Sequence, residues 1–112
     1  MHMIEVVLKP HMLDKVKAKM AELGIHGATA FECKGYGKQK GHTERYRGGR
    51  MDVGFVPKVC VKFAVKSDDL DKAVDAIVAT ARTGQVGDGK LFVYPLTKVV
   101  RVRTGECDAD AL

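Results

Sequence analysis

Apolar and polar residues follow the order strand, helix, strand twice along the chain, and this repetition limits the folds it can adopt. In the first half, residues 4–9 are rich in β-branched side chains and end at Pro10, as expected of a strand. Apolar residues then recur at helical spacing over residues 13–23, and Gly24 is a typical helix stop. Residues 28–34 can alternate as a second strand.

The second half repeats the same order. Residues 59–66 alternate clearly between the two faces of a strand, residues 69–82 show helical spacing, and residues 91–95 are typical of a strand. A short final strand is expected over residues 99–103, and the tail after Gly105 should fray. The predicted order is therefore β-α-β, a long loop, and β-α-β.

A short motif marks the same position in both halves. Residues 9–15 and 66–72 share the pattern Lys-x-x-x-Leu-Asp-Lys, each time at a predicted strand-to-helix junction. At 112 residues, the chain fits a single domain (1–112) and is too short for a two-domain enzyme. Two such halves favour an α+β, ferredoxin-like sandwich with both helices on one face of a four-stranded sheet. The bare opposite face needs a partner, and self-association is the common solution.

The segment between the halves, residues 35–56, has no periodicity and is rich in glycine. A structureless stretch of about 20 residues is longer than ordinary connections, and such loops are usually functional or disordered. This segment and its flanks carry most of the net charge of +5. An excess of basic residues favours an anionic partner.

The cysteines and histidines give no pattern for a disulfide framework or a zinc site. The three cysteines include no Cys-x-x-Cys pair, and the four histidines show no i,i+4 pairing. Apolar runs are far shorter than the roughly 20 residues of a membrane span, and residues 1–10 lack the apolar core of a signal peptide. We therefore expect a cytoplasmic protein with reduced thiols and no direct membrane insertion.

Two glycine-rich stretches favour an anionic ligand such as a phosphate. Gly87 and Gly89 allow backbone amides to approach an anion closely, and Lys90 adds a point charge. This is not a P-loop, because Leu91 follows where that motif requires Ser or Thr. Residues 35–41 form the second stretch. The alternative for the first loop is an ordinary glycine turn with a solvated lysine.

Two arginines add a third basic feature. Arg101 and Arg103 are two residues apart on the predicted last strand, so both side chains would point the same way. Two guanidiniums on one side can bind a phosphate through paired hydrogen bonds. The alternative is a solvated edge strand.

Three longer motifs resemble one known family. The segments KGYGKQKGHTERYRGG (34–49), TARTGQVGDGKLFVYPL (80–96) and VRVRTGE (100–106) resemble the PII nitrogen-regulatory signal proteins, and the resemblance runs from Ile4 to Glu106. It implies a cytoplasmic homotrimer of ferredoxin-like subunits whose sheets face inward. It also implies a regulatory protein rather than an enzyme, which reports nitrogen, carbon and energy status. ATP or ADP would bind competitively in three clefts between subunits, and 2-oxoglutarate would bind beside Mg-ATP.

The resemblance further implies which residues contact each ligand. Those expected around ATP or ADP are Thr29, Gly35, Tyr36, Gly37, Lys38, Ala64, Gly87, Asp88, Gly89, Lys90, Arg101, Val102 and Arg103. Those expected around 2-oxoglutarate are Lys9, Gly37, Gln39, Gly41, Lys58 and Gly87. Gln39 would also ligate Mg²⁺. The arginines would reach in from the adjacent subunit.

The long loop would contact target proteins. Residues 36–56 match the family's T-loop, residues 82–90 its phosphate-wrapping loop, and residues 97–112 its C-terminal strand and tail. The expected targets are an ammonium transporter, enzymes of nitrogen assimilation, or both, so that a transporter could recruit the protein to the membrane. The residues expected to contact a target are Arg45, Tyr46, Arg47, Arg50 and Met51. Among them, Arg47 matches the residue that plugs the transporter pore.

Some positions depart from the family pattern. Many members have a uridylylated tyrosine at position 51, where this chain has Met51, and some have a phosphorylated serine at position 49, where it has Gly49. Lys38 replaces a frequent arginine, which keeps the charge and loses the bidentate fork. We therefore expect control by small molecules alone.

Two alternative functions follow from the residues. A basic ferredoxin-like domain can bind RNA through aromatic residues on its open sheet face, but the open-face residues of the 59–66 strand include no aromatic. A weak ATP-hydrolysing enzyme is the other alternative, since Asp88 beside a phosphate could align a water molecule. No nucleic-acid partner and no catalytic residue are expected.

Overall fold

Two helices pack on one face of a four-stranded antiparallel sheet. A computed structural model describes residues 1–37 and 54–112, and the backbone alone at 45–46 and 49–50. The elements are, in order, β1 (His2–Leu8), α1 (Leu13–Glu22), β2 (Thr29–Gly35), β3 (Arg45–Tyr46), β4 (Gly49–Arg50), β5 (Val56–Val65), α2 (Leu70–Ala81) and β6 (Lys90–Pro95). The sheet has the order β2-β5-β1-β6, and β3 pairs with β4 in a separate two-stranded sheet.

The core lies between the sheet and both helices. Strands and helices contribute to one cluster of side chains that are each at most 1% exposed. They include Ile4 of β1, Val61 and Phe63 of β5, Val16 of α1 and Ile77 of α2. Because a strand turns every second side chain to the same face, these strands alternate as the sequence predicts. The ferredoxin-like α+β fold is confirmed. In the described parts of the chain, no helix has the length and apolar run that a membrane crossing needs.

The sequence repeat corresponds to a repeated backbone junction. Lys9 (φ −62°, ψ 138°) and Lys66 (φ −71°, ψ 151°) both remain extended at the end of a strand. Three residues later, the Met12 N–H donates to the Lys9 carbonyl at 3.0 Å, and the Asp69 N–H donates to the Lys66 carbonyl at 2.9 Å. A turn of 3₁₀ helix thus precedes each α-helix, so the two halves share one local structure.

The other face of the sheet has aromatic edges and a charged centre. Three aromatic side chains on this face are 38–47% exposed, namely Phe31 of β2 and Phe92 and Tyr94 of β6. Glu5 of β1 accepts a hydrogen bond from the Tyr94 hydroxyl at 3.0 Å and lies 4.0 Å from the Lys62 ammonium. The 59–66 segment presents no aromatic on this face, as predicted, but the strands at both edges of the sheet do.

The three cysteines are free thiols. Cys33 is half-buried, Cys60 is buried and Cys107 is exposed. Burial, followed by the negative charge of Glu5, raises the pKa of the Cys60 thiol. Cys60 is therefore a protonated packing residue at neutral pH, in agreement with the sequence interpretation.

The predicted strand over residues 99–103 is wrong. An isolated bridge joins Val100 to Cys107, and the residues between them form a turn. The reversal depends on Gly105, whose φ of +77° lies in the left-handed region that L-amino acids rarely adopt. The alternation of valine and arginine suits a strand, but this reversal pairs the segment with the tail instead of the sheet.

The tail after Gly105 is ordered rather than frayed, which corrects a second expectation. The Asp108 N–H donates to the Val99 carbonyl at 2.7 Å, and the Asp108 carboxylate accepts the Val99 N–H at 3.2 Å. A short 3₁₀ helix, Asp108–Ala111, follows. These hydrogen bonds supply the backbone partners that the sequence pattern does not reveal.

The long predicted loop is described only in part. Strand β5 begins at Val56, three residues before the predicted start. Within the loop, the backbone of Arg45 pairs with that of Arg50, and Tyr46 pairs with Gly49. A short antiparallel pairing therefore lies in a segment for which the sequence predicts no regular structure.

Candidate functional site

The residues predicted to bind ligands lie near opposite ends of the sheet. Because β1 and β5 are antiparallel, Met3 pairs with Ala64 near one end and Leu8 pairs with Val59 near the other. At the usual rise of a strand, the two pairs are about 17 Å apart. We call one group the loop end (Lys9, Gly35, Lys58 and residues 84–90) and the other the cavity end (Thr29, Ala64 and Arg101).

Three glycines with positive φ shape the loop end. Gly84, Gly87 and Gly89 have φ values of +86°, +102° and +109°. A Cβ at Gly89 would overlap the Val7 carbonyl oxygen, because the loop returns directly against β1 before β6 begins. The chain can therefore make this close approach only with glycine at position 89.

Asp88 stabilises the loop from within. Its carboxylate accepts the backbone N–H groups of Thr83 and Gly84 at 2.7 and 2.9 Å, and the Thr83 hydroxyl at 2.5 Å. The Lys9 ammonium also donates to it at 3.3 Å. These hydrogen bonds, above all that from the Thr83 hydroxyl, hold the pKa of Asp88 well below its usual range. With both oxygens occupied, this carboxylate fits a loop-stabilising role better than alignment of a catalytic water.

Two lysines converge on the backbone of Gly87. The Lys58 ammonium donates to the Gly87 carbonyl at 2.7 Å, and Lys58 is 6% exposed. Burial, and next the positive charge of Lys9, lowers the pKa of Lys58. A Cβ built at Gly87 would lie 3.5 Å from Lys9 Cε and 3.8 Å from Lys58 Nζ. Two neighbouring cations beside half-buried glycine backbone favour an anion at this point.

The beginning of the long loop packs against the same lysine. A Cβ built at Gly35 would lie 3.0 Å from Lys58 Cγ, so the absence of a side chain lets the lysine stem pass. The next residue, Tyr36, contacts Phe55 with ring centroids 5.8 Å apart. Gly37 is half-buried. The two strands that enter and leave the long loop therefore meet beside Lys58.

The cavity end encloses a volume of about 690 Å³. Its lining includes Thr29, Ala64 and Arg101, three of the residues expected around the nucleotide, together with Lys62 and Lys66. A volume of this size lies within the range of small-molecule pockets. The two lysines are additional cations at this end that the sequence analysis did not assign to the site.

The two predicted arginines do not line the cavity together. Arg101 lines the cavity, and its guanidinium donates to Glu106 at 2.7 Å. Arg103 and Val102 belong to the turn, are exposed and do not line the cavity. Because the segment is not a strand, the predicted alignment of both arginines on one side is wrong.

Several predicted residues cannot be placed. Lys38, Gln39, Gly41, Arg47 and Met51 lie outside the described residues, and the structure gives only the backbone of Arg45, Tyr46 and Arg50. The proposed Mg²⁺ ligand is thus among those that are not described. Elsewhere in the described ranges, no group of three or more His, Cys, Asp and Glu residues could hold a metal ion.

Sequence reasoning missed two contributors to these sites. Thr83 donates its hydroxyl to Asp88, and Glu106 holds Arg101. The only sequence signal is a hydroxyl five residues before an aspartate in a glycine-rich loop, which many turns share. The direction of a side chain inside a loop is fixed by tertiary contacts, so the pattern alone could not assign these roles.

Comparisons with known proteins agree on one family. A family model described as "Nitrogen regulatory protein P-II" matches residues 1–106. The chain is 51% identical over 112 residues to the "Nitrogen regulatory protein P-II" of Rhizobium etli, and the match covers all of both chains. It is 49% identical, again over the full length of both, to "Nitrogen regulatory protein P-II 1" of Escherichia coli K12 and to "Nitrogen regulatory protein P-II" of Klebsiella oxytoca.

Substitution of Gly89 by alanine should destabilise the protein more than the same change at Gly84. Gly89→Ala combines a positive φ with overlap on the Val7 carbonyl, so we expect a loss of at least about 2 kcal/mol in the free energy of unfolding. Gly84→Ala has a positive φ but open space around the Cβ, and should cost about 1 kcal/mol. Urea unfolding at one fixed protein concentration measures both values. Equal losses would contradict the assigned close approach.

The contribution of Asp88 to stability should depend on pH. A carboxyl whose pKa is lowered by folding stabilises the protein above its unfolded pKa, about 3.9, and this stabilisation is lost as pH falls towards the folded value. Asp88→Asn should therefore be less stable than the wild type at pH 7, with a difference that shrinks below about pH 4. Asp110→Asn, in the exposed tail, serves as the control. Urea unfolding from pH 2.5 to 7 tests this, and a difference independent of pH would contradict it.

Proposed function

The chain belongs to the nitrogen regulatory protein P-II family, and we propose that it performs its role in nitrogen signal transduction as a homotrimer that binds ATP or ADP. The observation that supports this most is the separation of the predicted nucleotide residues. Thr29, Ala64 and Arg101 lie at the cavity end, and Gly87 to Lys90 lie at the loop end of the same chain. A site that needs both groups is complete only where the cavity end of one copy meets the loop end of another.

The uncovered face of the sheet supports assembly. Phe31, Phe92 and Tyr94 leave a substantial apolar area exposed, and a second copy of the chain would cover it. An RNA-binding role is less well supported by the same face. Modules that stack bases on a four-stranded sheet do so on clustered aromatic side chains. Here the aromatics lie on the two edge strands, and the Glu5 carboxylate lies between them.

We propose that the loop end binds the phosphates and, beside them, 2-oxoglutarate. Gly87, Gly89 and Lys90 would contact phosphate oxygens, and Lys58 and Lys9 would contact the dicarboxylate. ATP and 2-oxoglutarate together bring about six negative charges, so a divalent cation is needed beside the lysines. Mg²⁺ would supply this positive charge when bound, and the amide oxygen of Gln39 is a ligand of the type that Mg²⁺ prefers.

The long loop would transmit the state of this site. Gly35 packs on the stem of Lys58, so an anion that draws Lys58 away from the Gly87 carbonyl also alters the contact at the beginning of the loop. Residues 36–56 would then present a different surface to a target. The targets we propose are an ammonium transporter, with Arg47 entering its pore, and enzymes of nitrogen assimilation. Binding to a transporter would bring this cytoplasmic protein to the membrane.

The same arrangement favours a sensor over an enzyme. The relatives are named as regulatory proteins. The Asp88 carboxylate, which could align a water, already accepts hydrogen bonds from Thr83, Gly84 and Lys9. We therefore propose binding and release of nucleotide as the functional cycle.

The proposal is tested by titrating ATP in a calorimeter, with and without Mg²⁺ and 2-oxoglutarate. We expect Mg²⁺ and 2-oxoglutarate together to raise the affinity for ATP by at least about fivefold, the usual lower bound of a useful coupling. Lys58→Met should abolish this gain and retain ATP binding, since methionine can fill the buried volume without the charge. Lys17→Met, at an exposed position of α1 that belongs to neither end, should behave as the wild type. A monomer indifferent to adenine nucleotides, or identical affinities in every condition, would overturn the proposal.

The target is tested by affinity capture from cell membranes. The wild-type protein should retain an ammonium transporter when 2-oxoglutarate is absent and release it when 2-oxoglutarate and Mg-ATP are present. Arg47→Ala should capture far less transporter and bind ATP normally. Retention that is the same with and without 2-oxoglutarate would contradict regulation through the loop.

A further inference from the structure

Arg101, which lines the cavity with Thr29 and Ala64, already has partners in its own chain. Its guanidinium donates to Glu106 Oε1 at 2.7 Å and to the Ala111 carbonyl at 3.4 Å. The first of these is a short, charge-assisted hydrogen bond of the kind that arginine also makes with phosphate. The tail thus presents oxygen atoms to the same donors that a bound phosphate would need.

The tail is positioned for this contact from several sides. The Thr104 hydroxyl donates to the Glu106 carboxylate at 2.9 Å, and the Glu106 carbonyl accepts the Arg101 N–H at 2.8 Å. At the far end of the tail, Ala111 and Leu112 line the cavity itself. The chain therefore folds back on its own candidate nucleotide pocket and orders the glutamate beside the arginine.

Glu106 is the acidic residue of the tail whose side chain contacts the Arg101 guanidinium. The Asp108 side chain accepts a backbone N–H from Val99, and Asp110 makes no side-chain hydrogen bond or ion pair in the described part of the chain. The Arg101 and Glu106 side chains are 38% and 47% exposed, so an incoming anion can reach the pair. Partial exposure also makes the pair weak enough to exchange.

We propose that Glu106 competes with the nucleotide phosphates for Arg101 and thereby sets the affinity of the site. This rests on the proposed function, because it requires that Arg101 contacts bound ATP or ADP. The glutamate and the phosphate need the same guanidinium, so binding of one releases the other. The tail is then an internal competitor whose removal tightens nucleotide binding.

The test compares ATP affinities of matched variants by calorimetry at low ionic strength. Glu106→Gln preserves the shape of the side chain and its hydrogen bond with Thr104 and removes the charge. We expect it to bind ATP about threefold to fivefold more tightly than the wild type, the range set by partly exposed ion pairs. Asp110→Asn makes the same change in net charge without a contact to Arg101, and should shift the affinity much less.

Two further variants separate competition from other effects. Thr104→Val removes the hydroxyl that positions the glutamate and should tighten ATP binding in the same direction by a smaller factor. In an Arg101→Ala background, Glu106→Gln should have no effect beyond that of Asp110→Asn, because the group being competed for is gone. Thermal unfolding and sedimentation verify that each variant keeps its fold and assembly, and Thr104→Val serves as the test if Glu106→Gln does not fold.

The outcomes distinguish this inference from the function on which it rests. If the wild type binds ATP and the Glu106→Gln and Asp110→Asn affinities are equal, the inference is overturned and the proposed function stands. An equal effect of Glu106→Gln with and without Arg101 also overturns it. If no variant and no wild-type sample binds adenine nucleotides, both are overturned together.

Discussion

The pairing of β1 with β5 on one side and β6 on the other determines the rest of the structure. Ile4 and Leu8 fill the core from one face of β1 and are at most 1% exposed. Met3, near the start of the strand, lines the cavity, and Lys9 directly after its end reaches the glycine loop. One buried strand therefore fixes the separation of the two ends, and a movement of loops within a single chain cannot bring them together.

At both ends of the sheet, groups that we propose to bind ligands already make hydrogen bonds within their own chain. At the loop end, Lys58 donates to the Gly87 carbonyl and Asp88 receives hydrogen bonds from its own loop; at the cavity end, Arg101 holds Glu106. A ligand that binds at either end therefore exchanges one set of hydrogen bonds for another. The net free energy of such an exchange is smaller than the strength of the contacts would suggest, which would suit the proposed cycle of binding and release.

Regular periodicity made the fold predictable, whereas the contacts of single side chains inside loops could not be predicted from it. Residues 59–66 alternate because one face of the strand is buried, so sequence and structure agree there. Residues 99–103 alternate as well, but Gly105 reverses the chain before a strand can pair. The glycines of the phosphate-loop candidate were recognisable, yet the inward direction of the Asp88 carboxylate depends on its contact with Thr83. Tertiary contacts of this kind leave no trace in composition or spacing.

The duplicated junctions at Lys9 and Lys66 have a consequence for assembly. Lys9 reaches the loop end and Lys66 lines the cavity, so the two halves of the chain form unlike termini of one sheet. Contact between unlike surfaces is heterologous, and a heterologous contact closes only as a ring. In the proposed ring every interface would form one complete site, whereas an open pair of chains would have only one. Occupied nucleotide sites would therefore favour the closed ring by mass action, and the stability of the oligomer would rise with the cellular concentration of its own ligand.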